Sequence, residues 1–386
     1  MRLLLSKPTT SLRHRGSALI VGVALAACSV VPTEPTGTGE SSLRAACERG
    51  STRRDWESCN DYAFEVQQSL PQRAEAFFAR ACEHQVGRGC SNLAYLEAKR
   101  PGSPDFGAAR DHYVKACELG DGVGCHNLAN LYLDGVAFAR DAPKAVGLLQ
   151  KACDLDHGQA CFRVGYITLR GILLAKDDAE TARLYQKACR LDEMAGCHDL
   201  GYLYLEGRGV DRDPTLAYEL FARSCDKGMM KGCSSRAYLL EKGEGVEKNE
   251  ALARADYAKA CAADEASACT NLGYMAEMGS GRAADPALAA QLYVKACNLR
   301  EAMGCSNLGV LMVRGKGVAQ NDEQAVPYLQ IGCAGGVGEA CRYLSQFHES
   351  GRGGLPRSPQ MSDYFRAQAC KFGDPGACPK ETRQAQ

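Results

Sequence analysis

Nine times in this chain two cysteines stand eight positions apart, and the nine pairs follow one another every 35 to 37 residues. They are Cys82 with Cys90, Cys117 with Cys125, Cys153 with Cys161, Cys189 with Cys197, Cys225 with Cys233, Cys261 with Cys269, Cys297 with Cys305, Cys333 with Cys341 and Cys370 with Cys378. A fixed period of this length means that one small unit has been copied and stacked, each copy burying its apolar face against its neighbours. Length alone would divide 386 residues into two or three domains, but the repeat makes them one elongated array. Lys plus Arg equals Asp plus Glu at 46 each, so no overall field draws nucleic acid or an anionic surface, and no nucleic-acid partner is expected.

The first residues differ from all that follow. Arg2, Lys7, Arg13 and Arg15 precede the apolar run SALIVGVALAA, which is too short and wrongly flanked for a spanning helix and reads as an export signal over residues 1–27. The run ends Leu25-Ala26-Ala27-Cys28, which resembles the lipobox of bacterial lipoproteins, where the cysteine thiol is lipidated and becomes the new N-terminus. Lipidation at Cys28 is the expectation; the alternative is ordinary cleavage after a small residue, with Cys28 left as an odd thiol. Residues 28–43, rich in Pro, Thr, Gly and Ser, are expected to be a flexible tether, residues 44–378 the array, and 379–386 a tail. No later segment has the apolar length to cross a bilayer, so membrane contact is expected only through the lipid, in the cell envelope at the outer membrane or the periplasmic face.

Disulfide, metal site and buried small hydrophobe compete for the eight-residue spacing. Export favours disulfides, because an oxidising compartment closes paired thiols, and the 21 cysteines leave an even number once Cys28 is set aside. Cys47 and Cys59 lie in ACERG and SCNDYAF, which echo ACELG and GCHNLAN of a later unit, and form a tenth pair with extra loop residues. Zinc would want two or four residues between neighbouring ligands and a mix with histidine, and the six histidines after the signal, His84, His112, His126, His157, His198 and His348, are scattered over different units. Eight residues of continuous helix would separate two Cα atoms by about 12 Å, beyond the roughly 7 Å a disulfide tolerates, so a turn must lie inside each pair. ELGDGVG after Cys117 and DKGMMKG after Cys225 carry glycines suited to such a turn.

Each unit therefore contains two helices. Asp141, Asp177, Asp213, Asn249, Asp285 and Asn321 recur every 36 residues as N-caps of the first, and Lys115, Lys151, Lys187, Arg223, Lys259 and Lys295 place a positive charge in its last turn, where the helix dipole favours it. In the second helix, Leu93, Leu128, Val164, Leu200, Leu272, Leu308 and Leu344 form a core column broken by Arg236. The next column, from Ala94 and Ala129 through Gly165, Gly201, Ala237, Gly273 and Gly309 to Ser345, is small enough for close helix approach.

Two further columns lie three residues apart and share another helical face. Asn92, Asn127, Asn271 and Asn307 stand in one, with Arg163, Asp199, Ser235 and Tyr343 between or after them; Tyr95, Asn130, Tyr166, Tyr202, Tyr238 and Tyr274 stand in the other. Matched Asn and Tyr in successive units suit a groove that grips a peptide through amide donors and flat rings. In the competing reading, the Asn bonds a neighbouring turn and the Tyr fills a gap between hairpins.

The repeat text KACELGDGVGCHNLANLYLDG, and above all GYLYLEGRGVDRDPTLAYELFARSC from Gly201, resembles Sel1-like repeats, relatives of the tetratricopeptide repeat. With cysteines eight apart in every unit, the chain looks like the secreted cysteine-rich subgroup typified by the Helicobacter cysteine-rich proteins. That resemblance implies an all-α, right-handed superhelical solenoid of nine to ten disulfide-stapled helix hairpins, with the second-cysteine helix on the concave side. It also implies either an adaptor that holds a protein or peptide in its groove, or a weak β-lactamase or penicillin-binding activity; binding of a cell-wall component is a third expectation that the location allows. A serine β-lactamase should show Ser-x-x-Lys with Ser-Asp-Asn and Lys-Thr-Gly companions. Only Ser224-Cys225-Asp226-Lys227 occurs, without companions, where Ser224 replaces the Ala that precedes the first cysteine in most units. The reading is a binding scaffold with no catalytic residues, metal or cofactor. Its first unit is expected to lack a full first helix, and the segment ESGRGGLPRSPQMSDY, one residue off register, to loosen the last stack.

Overall fold

The computed structural model describes residues 38–378 apart from Phe138, so the signal, Cys28 and the tail lie outside the described residues. All regular structure among the described residues is helical. Ten helices carry or adjoin the first cysteine of a pair: α1 (Thr38–Arg49), α3 (Pro71–Glu83), α5 (Phe106–Glu118), α7 (Ala142–Asp154), α9 (Asp178–Arg190), α11 (Pro214–Asp226), α13 (Glu250–Ala262), α15 (Pro286–Asn298), α17 (Asp322–Ala334) and α19 (Pro359–Lys371). Nine carry the second: α2 (Arg53–Val66), α4 (Gly87–Lys99), α6 (Gly122–Asp134), α8 (Gly158–Arg170), α10 (Met194–Glu206), α12 (Met230–Lys242), α14 (Ala266–Met278), α16 (Ala302–Arg314) and α18 (Gly338–Ser350). None is long and apolar enough to cross a membrane.

The caps stand where the 36-residue register puts them. Asp141, Asp177, Asp213, Asn249, Asp285 and Asn321 each accept a hydrogen bond from the amide three residues on, and Asp105 does the same for α5. Ten disulfides close, with Cα atoms 4.5 to 4.7 Å apart. Cys47–Cys59 joins α1 to α2, Cys82–Cys90 joins α3 to α4, Cys117–Cys125 joins α5 to α6, Cys153–Cys161 joins α7 to α8, and Cys189–Cys197 joins α9 to α10. Cys225–Cys233, Cys261–Cys269, Cys297–Cys305 and Cys333–Cys341 continue the series from α11 to α18. Cys370–Cys378 departs from it, because Cys378 follows α19 in a turn and the bridge ties that helix to its own exit rather than to another helix.

Within each bridged turn the residue three after the first cysteine is left-handed, and it need not be glycine: Gln85, Asp156, Asp192, Asp264 and Arg300 hold the position as Gly120 and Gly228 do. The following amide then reaches back to the carbonyl before the cysteine, as from His157 to Ala152 at 3.0 Å and from Met229 to Ser224 at 2.9 Å. Basic residues of the last turn clamp the preceding turn, Lys187 on Asp156, Arg223 on Asp192 and Lys295 on Asp264, each at 2.9 Å.

Small residues let the bridged helices cross. A Cβ added to Gly124 would lie 2.5 Å from that of Ala116, so helix meets helix at van der Waals contact beside the disulfide. Helices joined by the long loops, such as α4 with α5 or α16 with α17, pack along more of their length than helices joined by a bridged turn, such as α3 with α4. The tight hairpin is therefore second-cysteine helix, long loop, first-cysteine helix, and each disulfide from Cys82–Cys90 to Cys333–Cys341 links one hairpin to the next. Successive second-cysteine helices also touch directly, α4 on α6 and α14 on α16 among them. They form the inner layer of the stack.

Three expectations change. Residues 38–43, assigned to the tether by composition, are helical, and Leu43 packs on the Tyr62, Ala63 and Phe78 cluster; polar, Gly-containing composition does not prevent a helix whose apolar residue finds a core. The first unit accordingly has a nearly full first helix of 12 residues before its turn, where Thr52 and Asp55 make a reciprocal capping box on α2. The off-register segment does not loosen the end: Gly353 and Gly354 both take left-handed φ and absorb the extra residue, and Ser345 donates to the Ser362 carbonyl at 2.8 Å across α18 and α19. Within the core columns, Leu272 is only half-buried, while Arg236 is accommodated by a bidentate pair with Asp256, at 2.7 and 2.8 Å, and a bond to Asp226 at 3.0 Å.

Candidate functional site

The Asn and Tyr columns lie on the inner-layer helices α4 to α16. Much of their polar chemistry is spent between neighbouring helices. Asn92 donates to the Asn60 side chain of α2 at 2.8 Å, and Asn130 accepts from Arg163 of α8. Asn127 bonds Tyr113, and Asn307 bonds Tyr293. Asn271 is half-buried. Burial pushes the Tyr113 phenol up to about 12, and the bond from Asn127 offsets only part of that.

The aromatic column divides by exposure. Tyr166, Tyr202 and Tyr238 sit half-buried on three consecutive inner helices. The Arg170 guanidinium lies 5.6 Å above the Tyr166 ring, Lys242 lies 5.7 Å above that of Tyr238, and Tyr202 meets Phe221 edge-on at 5.1 Å. Tyr95 is 51% exposed and Tyr274 37%, with no such cover among the described residues. Phe64 belongs to the same column and is 61% exposed. Counting five residues from Cys59, as for the later pairs, would have found it.

One residue after the second cysteine stands a buried polar column of which the sequence reading singled out only the shared place of His126 and His198; it runs Asn60, Ser91, His126, His198, Ser234, Thr270, Ser306, with Phe162 and Arg342 at the same place in the two other units. Ser91 bonds Asp121, the cap of α6, and the Ser234 hydroxyl stands 3.5 Å from Ser267. His126 stacks on His157 at 4.7 Å with Arg163 3.4 Å from its Nε2. Burial holds His126 down at about 4, and the neighbouring His157 and Arg163 charges act in the same direction. His157 caps α8 by accepting the Ala160 amide at Nδ1, which requires that nitrogen unprotonated, and burial lowers its pKa too. No group of three metal-ligating side chains occurs among the described residues. Ser224, of the lone Ser-x-x-Lys, is fully buried and donates to the Phe221 carbonyl at 3.0 Å, so it faces no substrate.

The Sel1 repeat family model matches residues 87–121, 122–157, 158–193, 195–229, 232–265, 266–300, 302–337 and 338–362. The chain belongs to the Sel1 repeat family. Each matched repeat begins at a second-cysteine helix, and the first seven end in the next bridged turn, which agrees with the tight hairpins above and places the disulfides between successive Sel1 repeats. Among solved structures, a protective antigen of uropathogenic Escherichia coli with the same repeat fold is similar at 21% identity, covering 88% of this chain and 81% of its own, with a TM-score of 0.63. A Sel1 repeat protein from Oxalobacter formigenes is similar at 23% identity over 64% of this chain and 98% of its own, with a TM-score of 0.59. Cysteine-rich protein B of Helicobacter pylori is 34% identical over 32% of this chain and 90% of its own, with a TM-score of 0.27. No curated protein sequence matches the chain. The Sel1 array is thus a helical scaffold of a commonly protein-interacting kind, and its ten bridges suit an oxidising, extracytoplasmic compartment.

Proposed function

We propose that this Sel1 array is a scaffold of the bacterial cell envelope that holds a protein or peptide partner on its inner face. The observation that carries the reading is the aromatic column: Phe64, Tyr95, Tyr166, Tyr202, Tyr238 and Tyr274 recur at one height on inner helices, with exposed rings at Phe64, Tyr95 and Tyr274. The bonds that fix Asn92, Asn127, Asn130 and Asn307 leave the surface preorganised, so a partner would order few side chains on binding. Rigid aromatic anchors on a preformed surface are where binding energy concentrates.

The test is a cross-linking pull-down from envelopes, followed by affinity measurement on the double variant Tyr95→Ala with Tyr274→Ala, whose exposed rings contribute little to the core. A loss of at least about tenfold is expected, equivalent to roughly 1.4 kcal/mol; unchanged affinity removes the groove reading. The lipid anchor on Cys28 and the tether before α1 belong to the same proposal. Intact mass should show a diacylglyceryl addition, and an unmodified N-terminal cysteine would refute the anchor while leaving the groove standing.

A further inference from the structure

The hydrogen bonds around His198 form an ordered chain across two repeats. Asp199 Oδ1 lies 2.9 Å from His198 Nδ1, His198 Nε2 lies 3.1 Å from Ser235 Oγ, and the Tyr202 hydroxyl lies 2.8 Å from the same Ser235 oxygen. His198, Asp199 and Tyr202 belong to α10, and Ser235 belongs to α12, 37 residues after the histidine. A carboxylate only accepts, so the proton sits on Nδ1 and Nε2 is free to accept from the Ser235 hydroxyl. Ser235 Oγ then accepts from Tyr202, whose phenol burial pushes up and so keeps protonated. One tautomer satisfies all three bonds.

This arrangement is not part of the repeat framework. His126 holds the same column two repeats earlier, but its neighbour is Asn127 in place of Asp199, and Arg163 stands where Ser235 would be, 3.4 Å from the ring. The framework therefore brings these two columns together, and only between α10 and α12 do the residues become carboxylate, imidazole and hydroxyl in that order.

We propose that Ser235 is a nucleophile activated by His198, with Asp199 as the positioning residue, and that the site accepts small acyl esters. Ser235 Oγ would bond to the ester carbonyl carbon while its proton passes to His198 Nε2. Asp199 offsets the charge of the imidazolium formed. The carbon–oxygen bond to the alcohol then breaks, and the alcohol leaves with the proton from His198. Water repeats the sequence on the acyl-serine and releases the carboxylic acid. Tyr202, bonded to the same Ser235 oxygen at 2.8 Å, orients the hydroxyl between α10 and α12. Phe221, 5.5 Å from the His198 ring and 5.1 Å from that of Tyr202, walls the site with apolar surface. Ser235 and His198 are themselves 7% exposed, so only a small part of each side chain meets solvent.

The full, oxidised chain should be incubated with a short alkyl fluorophosphonate, whose P–F bond breaks as the serine oxygen bonds to phosphorus, fluoride leaving with the serine proton as HF. One adduct mapping to Ser235 is expected on folded protein and none on the urea-unfolded chain. Ser235→Ala should lose the adduct, and His198→Asn should slow its formation at least about tenfold with the thermal midpoint little changed. No adduct at Ser235 in the wild type overturns the proposal, and so does an equal rate in the folded His198→Asn variant, which would leave the chain of bonds as a link between repeats. Because the wild-type result decides by itself, a variant that fails to fold does not protect the idea. Neither outcome bears on whether Tyr95 and Tyr274 hold a partner.

Discussion

The bridged turn between α11 and α12 and the open loop between α10 and α11 join neighbouring helices by different physics. In the turn, Cys225–Cys233 holds the backbones at a Cα separation of 4.5 Å beside a helix crossing at which Ser224 and both cysteines are fully buried. In the loop, Gly209 takes a φ of 69° and lies so close to the previous repeat that an added Cβ would stand 2.1 Å from the Asp178 carbonyl oxygen. Arg208 binds the Asp178 side chain at 3.0 Å, and Arg212 pairs with Glu244 of the next loop. A covalent staple tolerates varied side chains at its left-handed residue, Asp192 and Arg300 included, whereas the seam at Gly209 leaves no room for a Cβ, although the same loop position holds Ala137 and Leu173 in earlier loops.

Arg236 spans both kinds of seam, reaching Asp226 across the bridged turn and Asp256 across the open-loop hairpin. Arg236→Leu should have the largest effect, a loss of about 3.5 kcal/mol in urea unfolding, because Asp256 is left buried without its partner. Adding Asp256→Leu to that variant restores the apolar pattern of the neighbouring repeats and should recover most of the loss. If the single variant is as stable as wild type, the pair does not hold the seams.

Gly209→Ala comes next, at about 3 kcal/mol, combining a left-handed alanine with backbone overlap. A urea midpoint equal to wild type would show that the open seam has room to spare. On the bridged side, replacing Cys225 and Cys233 together by alanine should cost about 2.5 kcal/mol on the chain-entropy account of so short a loop. Hydrogen exchange should rise first in α11 and α12 and leave distant repeats protected, because contacts run only between neighbours. Loss of protection along the whole array would mean that one staple holds more than its own seam.

Acid should loosen a bridged seam as well. His126, stacked on the His157 cap inside the Cys153–Cys161 turn, is held at about 4 against an ordinary 6.5. Its folded value is depressed, so its neutral form belongs to the fold; the stability is full above pH 6.5 and is lost as pH falls toward 4. His126→Gln should flatten the urea midpoint over that window, and an unchanged slope would place the titration elsewhere.

The smallest effect belongs to Leu173, which holds the position of Gly209 in the open loop between α8 and α9 with a φ of 63° and 55% exposure. Leu173→Gly should raise the urea midpoint, by about 0.5 to 1 kcal/mol in stability. A destabilised Leu173→Gly would mean that the two open loops are not closed by the same contact.

Much of the array could be read along the chain because its determinants are local. The spacing Cys153 to Cys161 forces a turn, Asp141 to Asp177 counts one cap to the next, and Gly165 to Gly201 marks where helices meet, all within a single unit or between adjacent copies. The inner face was legible as columns but not as chemistry. Asn92 and Asn127 look like free amide donors until the fold shows Asn60 and Tyr113 beside them. Leu43 looked like tether because its partner Tyr62 lies on the next helix, beyond any compositional window.

By itself the sequence determined the repeat, the disulfide pairing and the caps, since each depends on covalent reach or on a side chain bonding a backbone three residues away. Only the tertiary structure decided which helices make the tight hairpin, that Arg236 answers Asp256, and that His198 meets Ser235. Those outcomes depend on how helices cross within a hairpin and on the rotation between stacked hairpins, which bring residues 20 and 37 apart, respectively, into hydrogen-bonding distance. No period in the text encodes that rotation; close packing of side chains between layers sets it.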